Sequence, residues 1–370
     1  MIRVLHVIGA MDRAGAETMI MNYYRHIDRN EIQFDFLVHT NRHCDFDDEI
    51  EALGGNIYRL PRFIGANYFQ YKHACKRFFA EHPEIDIVHG HIGVGAPIYL
   101  SAANAVSKPT IAHAHSENFY TGLNKIAFSI ATHPTRKIAQ TFLACSKQAC
   151  IDTFGQSIFE SGRCKITNNG VDTAMLGAKA NMRDAYRKEL GMNDSPVFGH
   201  VARFIPIKNH EFLIDVFANL IRELPNAQLL LLGDGPTRPK IENKVKELHL
   251  EKSVHFLGVR SDVSELLATM DVFIFPSMKE GLPVSVVEAQ ATGLPVLLSE
   301  GITEAASILP SARRISLNEG ALVWANNALA MLDNRISPDE AQMKLRAAGF
   351  DAVQNAQEIS SFYKALLQQQ

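Results

Sequence analysis

Short runs of consecutive apolar residues alternate along the chain with segments whose apolar positions recur every three or four residues. Val4–Ile8 is the first run. From Gly15 to Ile27 the spacing of Met19, Ile20, Tyr23, Tyr24 and Ile27 predicts one buried helix face. Phe34–Val38, Ile85–Val88 and Thr110–His113 read as further strands. The pattern restarts at Val197–Val201. It continues as helix Glu211–Arg222, strand Gln228–Leu232, helix Lys240–Leu248, strands Val254–Leu257 and Asp271–Phe275, and a helix after Gly281. Continuous apolar strands separated by helices indicate parallel sheets covered on both faces. Two such series predict two doubly wound α/β domains, residues 1–172 and 173–350. The join lies near the Asn169-Gly170 turn signal, and a helical segment from Asp351 to Leu367 follows the second domain.

The composition fits this picture: 46% hydrophobic and 21% charged residues over 370 positions describe a globular chain, not a disordered one. A net charge of -3 speaks against nucleic acid as a partner. No apolar run approaches the roughly 18 residues that span a bilayer. Val4–Met11 runs directly into Asp12 and Arg13, so it reads as a first strand and not as a signal peptide. The five cysteines include no CxxC pair, which argues against a zinc ribbon or disulfide scaffold and for a cytoplasmic protein. From Arg59 to Phe79, basic residues interleave with aromatic ones. Two readings stand: a peripheral contact with an anionic membrane, or a helix with a solvated basic face and a buried aromatic one.

In open α/β sheets, ligands bind beyond the carboxyl ends of the strands. After the first strand, Gly9 to Glu17 opens a helix with small residues, Gly15 among them, that either let backbone N–H groups approach an anion or only permit close packing; there is no GxGxxG. After Val197–Val201 come Arg203 and Lys208, either a clamp for a diphosphate or two solvated loop charges. After Asp271–Phe275 comes Pro276 to Ala289. Gly281 permits a sharp turn, and Pro283 suits a first helical position. The N–H groups of Val284 and Ser285 would then face an anion. Glu280 and Glu288 could accept hydrogen bonds from vicinal hydroxyls, or serve as a helix-start acid and a surface residue. Eleven of the fifteen histidines precede residue 173. His89-Gly90-His91 and His113-Ala114-His115 each follow a strand, as a metal pair or as sugar or phosphate contacts. Asp45-Phe46-Asp47 has the DxD form that can hold a nucleotide–metal complex, but inside an acidic run it reads rather as a solvated helix start.

Several of these residues carry a resemblance. Glu280-Gly281-Leu282-Pro283 with Glu288-Ala289 resembles the E-x7-E signature of the retaining GT-B glycosyltransferases of family 4. Leu232-Gly233-Asp234-Gly235-Pro236 resembles the family's GxGP loop. Phe256-Leu257-Gly258 with Val259-Arg260 resembles its base-binding strand and loop, and Asn169-Gly170-Val171-Asp172 its interdomain segment. Ala14-Gly15-Ala16-Glu17 is similar to its GGAE, with Ala14 in place of the first glycine.

The resemblance implies a GT-B fold: two Rossmann-like domains facing a cleft, with the final helix, about 351–370, packing back on the first. It implies a metal-independent, cofactor-free transferase whose donor is a nucleotide sugar, a UDP-sugar, bound mostly on the second domain. The acceptor is a glycan or lipid-linked glycan on the first. Arg203 and Lys208 would hold the diphosphate, and Glu280 the sugar hydroxyls. Glu288 would bind the ribose, and Val259 and Arg260 the base. Gly233, Gly281, Leu282, Val284 and Ser285 would line the donor site. Gly15 would approach the phosphates, and His115 the donor sugar. With no carboxylate placed for double displacement, a front-face route is expected. The branch suggested is that of exopolysaccharide, capsule and O-antigen assembly. Competing expectations are a nucleotide-sugar epimerase of the same architecture, a metallohydrolase on the HxH pairs, and a non-enzymatic sugar-nucleotide-binding or scaffold protein.

Overall fold

A computed structural model describes residues 1–91, 93–115, 122–192 and 195–368, with 122–126 as backbone only. The chain forms two compact units: Met1–Asn169 with Ala352–Gln370, and Gly170–Asp351.

The first unit is built on seven parallel strands: β1 (Ile2–Ile8), β2 (Ile32–Val38), β3 (Ile57–Arg59), β4 (Ile87–His91), β5 (Thr110–Ala114), β6 (Thr141–Ala144) and β7 (Cys164–Ile166). Their order is β3-β2-β1-β4-β5-β6-β7, so the direction of winding reverses between β1 and β4. Strand side chains alternate faces. Leu5, Val7, Val88 and Ala112 pack under helices Tyr68–Glu81, Ala96–Asn104 and Lys147–Phe154. Val4, Ile8, Ile87 and Ile111 meet helices Gly15–His26 and Ala352–Gln368. The last helix belongs here because Ala352, Ala356, Ile359 and Tyr363, spaced by four, three and four, form one buried stripe.

The second unit holds six parallel strands: β8 (Val197–Val201), β9 (Gln228–Leu232), β10 (Val254–Gly258), β11 (Val272–Phe275), β12 (Val296–Ser299) and β13 (Ala312–Ile315). Their order is β10-β9-β8-β11-β12-β13, and winding reverses between β8 and β11. Leu229, Leu231 and Ile274 join the amphipathic helix His210–Glu223 and the buried Trp324 on one face. Leu230, Phe273 and Phe275 join Val286 and Val287 on the other.

Three expectations need correction. The strands β3, β6, β7, β12 and β13 were not anticipated, because runs of three or four residues carry too little periodicity to stand out. The strand predicted at Ile85–Val88 begins at Ile87 and extends through His91, so His89 and His91 lie within it. Asp47 is not a solvated helix start: it is buried, and Arg59 Nη2 donates to its Oδ2 at 2.6 Å.

Candidate functional site

In the second unit the loops after β8 and β11 emerge side by side at the point where winding reverses, the position where open α/β sheets bind ligands. They are joined by three contacts. Met278 N–H donates to Ile207 O at 2.8 Å, and Asn209 Nδ2 donates to Pro276 O at 3.2 Å. Lys208 Nζ lies 2.6 Å from Glu280 Oε1, with both side chains mostly buried. Asn209, at φ 58, turns the chain out of the short Pro206–Lys208 turn and into helix His210–Glu223. Lys208 is therefore held over the Phe275 ring, 5.1 Å from its centroid. Arg203 is exposed and has no carboxylate partner among the described residues.

The loops after β9 and β10 close on the same end. Gly233 N–H donates to Gly258 O at 2.7 Å, and Phe204 N–H to Asp234 O at 3.0 Å. Gly233 and Gly235 have φ 123 and 157; a Cβ would fall 2.2 Å from Ala202 O and 2.4 Å from Phe204 O respectively. Only glycine lets this loop lie against the Arg203 backbone. Val259 is 60% exposed beyond β10, whereas the Arg260 guanidinium is engaged by Asp262 at 2.6 Å.

Glu280 is fixed from behind as well. Its N–H donates to Gly301 O at 3.2 Å, and its own carbonyl accepts from Thr303 N–H at 3.3 Å. Gly281, Leu282 and Val284 are buried; Ser285 and Glu288 are half-buried, three residues apart on one side of helix Val284–Ala291. Pro283 caps that helix instead of standing at its first position: at ψ 118 it is still extended, and Val286 N–H turns back to its carbonyl at 3.1 Å. Val284 and Ser285 form the first turn, where a helix end favours negative charge.

In the first unit, Gly15 is exposed at the start of the helix that follows β1. Ala14 sits at φ -133, ψ 173, extended backbone that tolerates its methyl group. Glu17, in the first turn, is pushed up to about 7 by burial, with nearby Asp12 adding to the shift.

Both HxH pairs were expected to follow their strands, but His89, His91 and His113 lie within β4 and β5, and only His115 projects beyond the sheet. The register places His6 beside His89 and His91 beside His113. Five imidazoles thus gather on one face in two hydrogen-bonded files. His6 Nδ1 lies 2.9 Å from His91 Nε2, and His91 Nδ1 2.5 Å from His115 Nε2. In the second file His89 Nδ1 meets Tyr363 Oη at 2.7 Å, His89 Nε2 meets His113 Nδ1 at 3.0 Å, and His113 Nε2 meets Thr167 Oγ1 at 3.3 Å. Burial lowers His6 and His115 to about 3, and lowers His89, His91 and His113 well below the ordinary value, with mutual repulsion adding in most of them. All five rings are neutral near pH 7. Nitrogens of His6, His89 and His91, and of His91, His113 and His115, converge within 4.8 Å. Both triads are carboxylate-free, and their nitrogens already bond one another, so the arrangement does not favour the metallohydrolase expectation. Sequence reading missed His6 and Tyr363. The signal available was that His6 points to the same side as the apolar Val4 and Ile8.

The sequence is similar to known proteins over nearly its whole length. The profile described as "Glycosyl transferases group 1" matches residues 182–335, and "Glycosyltransferase Family 4" matches 13–175. A putative glycosyltransferase, EpsF of Bacillus subtilis, is 35% identical over 368 residues, 98% of this chain and 96% of that protein. An Escherichia coli UDP-Gal:alpha-D-GlcNAc-diphosphoundecaprenol alpha-1,3-galactosyltransferase is 26% identical over 58% of this chain and 57% of its own length. The crystal structure of Anabaena HepE in complex with UDP-glucose superposes with a TM-score of 0.81 at 19% identity, covering 99% of this chain and all of that one.

Proposed function

Because the chain belongs to glycosyltransferase family 4, with two Rossmann-like domains of the GT-B fold, we propose that it moves a hexose or N-acetylhexosamine from a UDP-sugar to a lipid-linked glycan, with retention, in bacterial surface polysaccharide synthesis. The observation that carries this reading is the 2.6 Å contact between Lys208 and Glu280 where the sheet of the second unit reverses. A carboxylate that close to a diphosphate would repel it. Lys208 offsets Glu280 while standing at the same loop, and the unengaged Arg203 adds a second cation for the diphosphate.

In this mechanism Glu280 and Glu288 hold sugar and ribose hydroxyls, and Arg203, Lys208 and the Val284–Ser285 helix start take up charge as the anomeric C–O bond breaks. The acceptor oxygen bonds the same face of the anomeric carbon. Its proton passes to the departing β-phosphate oxygen, and UDP leaves. No metal or cofactor is assigned a role. Val259 and the backbone at Arg260 contact the base; the Arg260 side chain stays with Asp262. His115 serves the donor sugar, and Gly15 the phosphates.

The UDP donor and lipid-linked acceptor are supported by the names of the Escherichia coli relative and the Anabaena complex. No helix among the described residues is long and apolar enough to cross a membrane. For a lipid-linked acceptor, we assign the membrane contact to the Arg59–Phe79 region at the inner face of the cytoplasmic membrane. There Ile64 and Phe69 are 70% and 84% exposed beside exposed Arg62, Lys72 and Lys76.

The test is sugar transfer from a panel of UDP-, GDP- and ADP-sugars to a polyprenyl-diphosphate glycan, with EDTA present. UDP-dependent transfer with retained anomeric configuration is expected. Loss of transfer in EDTA, or full transfer by both Arg203→Ala and Glu280→Ala, would falsify the assignment.

A further inference from the structure

The two histidine files differ at their ends. The file of His89 and His113 is closed by Tyr363 and Thr167, hydroxyls that can donate or accept. The file of His6, His91 and His115 is open: His6 Nε2 and His115 Nδ1 are buried and have no partner among the described residues. Buried polar atoms of this kind are uncommon and call for an explanation.

A neutral imidazole carries one proton on two nitrogens. If His91 holds it at Nδ1, that N–H donates to His115 Nε2, and His115 must carry its own at Nδ1. His91 Nε2 is then bare and accepts from His6 Nδ1. If His91 holds it at Nε2, His6 Nδ1 and His115 Nε2 reverse their roles. The three rings are therefore all Nδ1–H or all Nε2–H, and mixed states break a hydrogen bond in the interior.

We propose that His6, His91 and His115 act as one tautomeric unit, which decides whether His115 offers a donor or an acceptor at Nδ1. His91 and His6 are thus positioning residues for the transfer reaction. The same atom that lacks a protein partner is the one left for a ligand. A sugar hydroxyl there satisfies the His115 end of the file in either state, because it can donate to a bare Nδ1 or accept from Nδ1–H. The inference rests on the reading above that His115 serves the donor sugar. The three residues come from β1, β4 and the end of β5, so three adjacent strands fix the geometry.

The experiment is two-bond nitrogen–proton correlation spectroscopy on protein labelled at histidine, with transfer kinetics on the same samples. The same tautomer is expected at His6, His91 and His115. His91→Phe keeps a ring but removes both hydrogen bonds; His115 should then relax to a tautomer mixture while kcat falls about tenfold at unchanged donor KM. His91→Gln, which can donate and accept, should return most of the loss. Different tautomers among the three wild-type rings, or an unchanged His115 signal in a folded His91→Phe variant, overturns the proposal. So does a metal ion retained in stoichiometric amount on these nitrogens. Coupled tautomers together with full activity in His115→Ala would leave the unit standing and remove the donor-contact reading instead.

Discussion

Lys208 Nζ and Glu280 Oε1, 2.6 Å apart, join loops that lie 72 positions apart in sequence but leave adjacent strands of one sheet. The pair separates two roles that the sequence alone assigned jointly to Arg203 and Lys208. Lys208 is a structural cation because it neutralises a mostly buried carboxylate. Arg203 is exposed and contributes little to folding. Lys208→Ala is therefore expected to destabilise the protein by about 1–3 kcal/mol, since it strands Glu280. Arg203→Ala should change stability by less than about 0.5 kcal/mol. Both should lower transfer on the order of a hundredfold. Urea unfolding alongside UDP-sugar turnover checks this; equal destabilisation by the two substitutions would contradict the division of roles.

The loop after β9 gives a second prediction. Gly233→Ala places a methyl group 2.2 Å from Ala202 O at a backbone conformation that alanine avoids. The cost is on the order of 1–3 kcal/mol, and relief requires the Arg203 segment to move. Melting temperature should fall by several degrees, and the stabilisation that UDP gives the wild type in a thermal-shift assay should shrink. Wild-type UDP stabilisation in the variant would show that this loop does not support the donor site. Ala14→Gly is the counterpart: at φ -133 the alanine is unstrained, so restoring glycine should leave turnover unchanged.

The proposed membrane contact is testable by vesicle flotation. Lys72 and Lys76 follow the exposed Phe69 by three and seven positions, placing one apolar and two basic groups along one side of helix Tyr68–Glu81. Each basic residue near an anionic surface is worth about 1 kcal/mol. Lys72→Glu with Lys76→Glu should therefore weaken binding to phosphatidylglycerol vesicles by well over tenfold, and Phe69→Ser should weaken it further. Neutral vesicles should not bind. Equal flotation of wild type and variants would refute the contact.

Much of the second unit was legible because β8 to β11 are continuous apolar runs with signature loops directly after them; Glu280, Gly233 and the Arg203–Lys208 pair follow strands as expected. What escaped was long-range. Nothing local marks Gly301, whose Cβ would lie 2.0 Å from Met278 O, as the reason the Glu280 loop can pack where it does. The histidines misled for a related reason. In a sequence His89 and His91 read as polar residues beyond a strand. In the fold each bonds another ring, remains neutral, and behaves as part of the core beside Ile87 and Tyr363. Single-residue polarity does not register such pairing, which depends on the register between β1, β4 and β5.

Those neutral rings make stability depend on pH. Seven histidines, His6, His89, His91, His113, His115, His200 and His210, are held below their ordinary value by burial, His210 to about 4. Unfolded, each takes up a proton as pH falls through about 6.5; folded, none does until far lower. The unfolded state therefore binds more protons in this window, and stability rises with pH across it and is lost on acidification. Glu17 acts in the opposite sense: folded, it holds its proton up to about 7, so its contribution weakens the fold as pH rises from about 4.5. Seven rings outweigh one carboxyl, and the sum should fall steeply from pH 7 to pH 5. Urea midpoints at pH 8, 7, 6 and 5 measure it. His89→Leu should flatten the slope if it folds, and Glu17→Gln should steepen it. A wild-type midpoint that stays level from pH 8 to pH 5 would mean that the rings are charged or solvated in the native protein.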